Sequence, residues 1–173
     1  MAGVLVLGMA MAGPARGHEL QKPDGKAAAR FVRYQVPAAT ALLLKLLTPL
    51  DSASTSVGEQ VDATVWSPVI QDGVELVPAG SVVSGKVVSV ARASKRAPIG
   101  SVTFAFSVIE HGETRSRESL RTRRVVMEAP REPEVDSGRG TKKKRQLPVD
   151  AVVPAGTPFV AMTAEPLIVF VPR

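Results

Sequence analysis

The sequence predicts an all-β fold, a small antiparallel barrel or sandwich carrying one charged, mobile loop insertion. Three observations carry that prediction: a Pro-Ala-Gly turn recurring before apolar runs, strict alternation inside several of those runs, and a composition suited to strands. Val and Thr are frequent, and Gly 14 and Pro 14 are spread along the chain, which favours short strands and many reversals over helices. At 173 residues the chain is long enough for one domain with its own core. The hydrophobic share of 45% excludes a wholly disordered chain, and only 4% aromatic residues leaves Val, Leu, Ile and Ala to fill the interior. There is no Cys, so disulfides, thiolate metal sites and Cys nucleophiles are excluded.

In chain order, Val4 to Ala12 form a short apolar run, followed by Gly13-Pro14 and Ala15-Arg16-Gly17. This is the apolar core and small-residue exit of a secretory signal, so residues 1–17 are expected to be a signal peptide. The run is much shorter than the roughly 20 apolar residues of a bilayer span, and no transmembrane span is expected in the mature chain. No Lys or Arg precedes the run, which departs from the usual basic start. Cleavage would remove one Arg and lower the net charge from +6 to +5. Residues 18–30 (HELQKPDGKAAAR) are polar and small, a flexible lead-in to a single β-domain over 31–173.

Within that domain three runs open with nearly the same words: Val36-Pro37-Ala38-Ala39-Thr40, Val77-Pro78-Ala79-Gly80-Ser81 and Val153-Pro154-Ala155-Gly156-Thr157. Proline fixes φ and suits the second position of a type I turn, and a Gly two residues later accepts positive φ. Pro37, Pro78, Gly80, Pro154 and Gly156 are therefore assigned as structural turn residues, with Ala39 making the first copy differently built. The run 41–47 (ALLLKLL) would also suit helical turns, but its place after a Val-Pro turn favours a strand with Lys45 at an exposed edge or rim. In 60–66, Val61, Ala63 and Val65 share a face; in 101–109, Val102, Phe104, Phe106 and Val108 do. Asp72-Gly73 and His111-Gly112 sit between apolar runs, where hairpin turns belong. A strand at 158–171 closes the fold.

Residues 115–124 (RSRESLRTRR) are basic, 128–136 acidic with Pro, and 139–145 (RGTKKKR) strongly basic. Adjacent opposite charge blocks with few apolar residues cannot offset their ordering entropy, so 129–147 is read as a mobile loop between two strands. Arg139, Lys142, Lys143, Lys144 and Arg145 are the candidate binding residues: with 115–124 they suit a polyanion held by salt-sensitive contacts, or an acidic protein. A solvated loop balanced by its acidic neighbour is the plainer reading. The aromatic residues of a stacking platform are missing nearby, and sequence-specific nucleic-acid binding is not expected.

No nucleophile elbow, zinc-protease helix motif or phosphate loop occurs, and no cofactor is implied. Asp51, Glu59, Asp62, Asp72 and Glu75 occupy turns or exposed alternating positions, where solubility explains them. The chain is expected not to be an enzyme. One alternative is a copper-binding protein or enzyme. Cleavage after Gly17 would expose His18 as an amino-terminal chelator, which with His111 would resemble the histidine brace of copper monooxygenases. Cleavage after Ala15 would instead leave Arg16-Gly17-His18, a copper-chelating tripeptide. His111 also reads simply as a hairpin-turn residue.

Taken together, the stretch from Val36 to Val90, with its two proline turns and its Leu50-Asp51-Ser52 and Val57-Gly58 steps, resembles the C-terminal β-barrel domain of TrbI-like scaffold proteins of conjugation and type IV secretion systems. It resembles more closely a group of uncharacterised exported bacterial envelope proteins that end in a third Pro-Ala-Gly-Thr strand and a Pro-Leu-x-Val tail, here Val153–Thr157 and Pro166-Leu167-Ile168-Val169. The resemblance covers about 36–110 and 150–171. It implies a small β-barrel in the periplasm or at the cell surface, acting as a structural or interaction module on an envelope protein. The scaffold family carries a membrane anchor, a proline-rich region and a pore-forming helical hairpin; this chain has a short lead-in and a charged loop at those places, so pore formation does not follow.

Overall fold

The computed structural model describes residues 31–111, 116–130 and 147–172. The signal segment, the lead-in and most of the charged insertion lie outside them. The fold is all-β. Its main sheet is antiparallel and runs in the order β10 (Val125–Glu128), β8 (Ser101–Glu110), β7 (Val82–Ala91), β4 (Gln60–Val65), β2 (Ala41–Leu46), β12 (Pro158–Met162), with β9 (Arg117–Ser119) pairing β8 beside β10. The sheet curls into a half-barrel. Three two-stranded pieces complete the fold: β1 (Phe31–Val36) with β13 (Leu167–Pro172), β3 (Leu50–Asp51) with β11 (Val152–Val153), and β5 (Val69–Gln71) with β6 (Val74–Val77).

Alternation selects the inner face. Leu42, Leu44 and Leu46 of β2 and Val61, Ala63 and Val65 of β4 are all buried, so the run 41–47 is a strand and not a helix. Lys45, on the outer face, lies over the exposed Trp66 ring at 4.0 Å. Each fully buried Leu or Val contributes roughly 1.5–3 kcal/mol, and this aliphatic wall encloses three of the few aromatic rings. Phe104 meets Phe106 and Phe159 edge-on at 5.6 and 5.7 Å between ring centres, and Phe106 stacks on Phe159 at 6.0 Å.

Strand β8 departs from the expected alternation. Val102, Phe104 and Phe106 point inward as predicted, but the next buried residue is Ile109, not Val108. The pairing with β7 slips between Ser84 and Gly85, where Ser84 faces Val108 and Gly85 faces Phe106. One extra residue on β8 reverses the faces beyond it. Gly85 permits the slip, because a Cβ there would overlap the Ala105 carbonyl and the Phe106 backbone.

The expected single closing strand at 158–171 is two strands. β12 ends at Met162 and β13 begins at Leu167, and they join different partners, β2 and β1. Bends at Ala164 and Glu165 separate them, and the C-terminal residues run on past the main sheet to form a ribbon with β1. Asp72 and Gly73 both have positive φ, 52° and 77°, the type I′ geometry expected between β5 and β6. No helix among the described residues is long and apolar enough to cross a membrane.

Candidate functional site

The three proline turns are built alike. Their Ser or Thr hydroxyl donates to the proline carbonyl three residues back: Thr40 to Pro37 at 2.7 Å, Ser81 to Pro78 at 2.8 Å and Thr157 to Pro154 at 2.7 Å. The third position has positive φ in each, 63° at Ala39, 83° at Gly80 and 85° at Gly156. Backbone N–H groups of Ser81 and Thr157 also donate to Pro78 and Pro154. Proline is thus the first residue of the turn, not the second as its φ preference suggested.

Each turn also grips the end of a neighbouring strand. The positive-φ residue donates its N–H to one residue, whose own N–H returns to the hydroxyl residue's carbonyl: Ala39 with Thr163, Gly80 with Val65, Gly156 with Leu46. The first and third grips are reciprocal. The turn opening β2 holds the residue after β12, and the turn opening β12 holds the last residue of β2.

The two ends of the main sheet meet at one place beside these grips. Thr122 forms an antiparallel bridge with Thr163, Arg123 N–H donates to Met162 O at 2.8 Å and Ala164 N–H to Arg121 O at 2.7 Å. Arg121 and Glu165 pair outside it at 3.2 Å. Beyond Met162 the edges of β10 and β12 carry no mutual pairing. The open side is flanked on its outer face by Val126, Val160 and Met162, at 54%, 54% and 38% exposure. Next to the closed end, a groove is lined by Arg33, Glu118, Arg121, Glu165, Ile168 and Phe170 among others. This seam, with apolar flanks and an arginine-rich closed end, is the candidate interaction site.

His111 lies just past β8, where the chain leaves for β9 as the expected hairpin requires, and its side chain is buried. Its N–H donates to Ser116 O across the β8–β9 connection. Nδ1 is 3.4 Å from Ser81 Oγ and Nε2 3.5 Å from Glu118 Oε2. The trio has the composition of a hydrolase triad without its geometry. Ser81 has no solvent exposure, and its hydroxyl proton is directed at Pro78 O. The ring nitrogens are also exchanged, with the serine on Nδ1 and the carboxylate on Nε2 where a triad has the reverse. Among the described residues no three His, Cys, Asp or Glu side chains gather into a metal-holding group. His18, Arg16 and Gly17 of the copper alternative lie outside the described residues. So do Arg139, Lys142, Lys143, Lys144, Arg145 and Arg115.

The feet of the charged insertion are described. Ala129 N–H donates to Gly100 O at 3.0 Å, and Gly100 N–H donates to Val149 O at 2.8 Å, so both limbs are pinned to one residue. The returning limb is held further by Ser52 and Asp150. Ser52 Oγ donates to Asp150 Oδ1 at 2.8 Å and accepts from Ala151 N–H at 2.9 Å, and Ala93 N–H donates to Asp150 Oδ1 at 2.9 Å. The bonds from Ala93 first, and then Ser52, hold this carboxyl below its ordinary pKa, with Arg92 adding in the same sense.

Sequence reasoning missed Thr122, Thr163, Ser52, Asp150 and Glu118. The partners of Thr122, Thr163, Ser52 and Asp150 lie far away in the chain, and Glu118 meets His111 only through the pairing of β8 with β9.

No family model matches the sequence, and no curated protein matches it. Among solved structures, the fold is similar to that of ComB10 of the Com type IV secretion system of Helicobacter pylori. That likeness has a TM-score of 0.50 at 14% identity, over 80% of this chain and 92% of that one. It is a likeness of fold, and the chain has a TrbI/ComB10-like fold.

Proposed function

We propose that this protein is a non-enzymatic, exported structural or interaction module of a bacterial cell-envelope assembly. The observation that carries the reading is the ComB10-like fold extending over 80% of the chain. That neighbour is a component of a type IV secretion system, and a component of such a system works by contact with other proteins. The seam supports the same reading, since unpaired strand edges with apolar flanks are surfaces that add a partner. The signal-like segment 1–17 supports export to the periplasm or cell surface.

The test is made in the source organism with the full chain carrying a C-terminal tag. Fractionation and in-cell crosslinking are expected to find it in the envelope, joined to a defined protein partner in a larger assembly. Recovery as a cytosolic monomer that crosslinks to nothing would overturn the reading.

A further inference from the structure

We propose that the outer edge of β12, around Val160, is a strand-addition site. Its occupant is an extended segment of a partner protein, alternately apolar and acidic at its N-terminal end. This rests on the interaction-module reading and names the surface and partner chemistry it would use.

The direction of the backbone groups follows from the register. Leu46 N–H donates to Thr157 O, and Thr163 N–H to Thr40 O, so residues 157, 159, 161 and 163 face β2. In an antiparallel ladder the intervening residues face away. Two bonds agree: Met162 O accepts from Arg123 N–H, and Leu43, opposite Val160, gives its carbonyl to Trp66 N–H on the β4 side. The N–H and C=O of Val160 therefore point off the sheet, where no described strand pairs. Proline at 158 has no N–H to offer, so pairing would centre on Val160.

Both faces of an added strand would meet apolar groups, Val160 and Val126 outside and the half-buried Phe159 and Met127 inside. Arg123 and Arg124 stand exposed at the closed end, neither in an ion pair among the described residues. A strand antiparallel to β12, the orientation of all pairs in this sheet, begins at that end. Its first residues would lie among the arginines, which is why they should be acidic.

The probe is a labelled nine-residue peptide alternating Val and Thr, with two Asp at its N-terminus, and a counterpart with two Lys there. Added to the full chain, the acidic peptide should bind about tenfold tighter, as two opposite-charge cross-strand pairs would give, and should slow hydrogen exchange at the Val160 amide. Val160→Pro should abolish this binding at an unchanged melting temperature, because the lost N–H is outside the ladder. Val160→Lys, which places a charge on the edge without touching the backbone, serves as the second variant. Arg123→Glu with Arg124→Glu should reverse the peptide preference.

Equal binding of both peptides, binding indifferent to Val160→Pro and Val160→Lys, or competition by heparin with no protection at Val160 would each overturn the proposal. An envelope assembly that survives Val160→Pro while the peptide fails to bind rejects this site and leaves the module reading standing. Absence of any assembly with the natural chain rejects the module reading itself.

Discussion

Thr40 and Thr163 lie opposite each other where the sheet begins and ends its curl, joined by Thr40 N–H to Thr163 Oγ1 at 2.9 Å and Thr163 N–H to Thr40 O at 2.9 Å. The Thr163 hydroxyl also donates to Pro37 O at 3.1 Å. Its backbone bridges Thr122 on the far edge. One fully buried side chain thus holds the first proline turn at the point where the two sheet ends meet.

Thr163→Val keeps the shape and strips the hydroxyl, leaving Thr40 N–H with no acceptor in the turn. A buried polar group without a partner costs about 1–3 kcal/mol. The substitution is expected to lower stability by that amount in denaturant titration. Thr157→Val, whose hydroxyl bond is exposed, should cost less. Equal losses at both positions would contradict the special place of Thr163.

Ala39 sits at φ 63° where the two sister turns have Gly. A left-handed conformation costs a residue with a Cβ roughly 1–2 kcal/mol, partly offset by the greater unfolded freedom of Gly. Ala39→Gly should therefore stabilise the protein, by about 0.5–1 kcal/mol. Gly80→Ala should destabilise it by a similar amount, because no atom crowds the site and only the backbone conformation objects. A destabilised Ala39→Gly variant would show that this turn draws its geometry from elsewhere.

Much of this was legible in the sequence, and the parts that were not share a cause. The alternation of Leu42, Leu44 and Leu46, the Asp72-Gly73 hairpin and the three proline turns are written in neighbouring residues, so local pattern found them. The face of Ile109 was hidden, because it depends on a bulge in β8 that only the close approach allowed by Gly85 of the adjacent strand makes possible. The break between Met162 and Leu167 was hidden as well, since only pairing with β1 separates the ribbon from the sheet. The seam was out of reach for the same reason: Thr122 and Thr163, or Arg123 and Met162, are brought together by the curl of the whole sheet.

Asp150 links stability to pH. Its native carboxylate is favoured by Ala93 N–H and the Ser52 hydroxyl, so its folded pKa lies below the ordinary value of 3.8. A depressed carboxylate contributes stability that is fully present above the unfolded pKa and lost as pH falls through the folded one. The natural chain should melt higher than Asp150→Asn at neutral pH, and the gap should close below about pH 4. A gap that persists unchanged to low pH would mean that the carboxylate charge is not what those donors hold.

Deleting Gly138–Arg145 tests whether the charged insertion matters to the fold. Its feet are fixed independently of what lies between them, by Ala129 and Val149 on Gly100 and by Asp150 on Ser52 and Ala93. Taking eight residues from the sixteen at 131–146 roughly halves the length of chain between two anchored feet. Shortening by half lowers closure entropy by about 0.6 kcal/mol, so the melting temperature should hold or rise by a few degrees. The deletion also removes Lys142, Lys143, Lys144 and Arg145. If the basic tract recruits a polyanion or an acidic protein, that binding and its salt dependence should fall while the melting curve stays where it was. A drop in melting temperature well beyond that scale would show that the segment packs on the half-barrel, and the anchoring at Gly100 would then be a consequence of the insertion instead of its support.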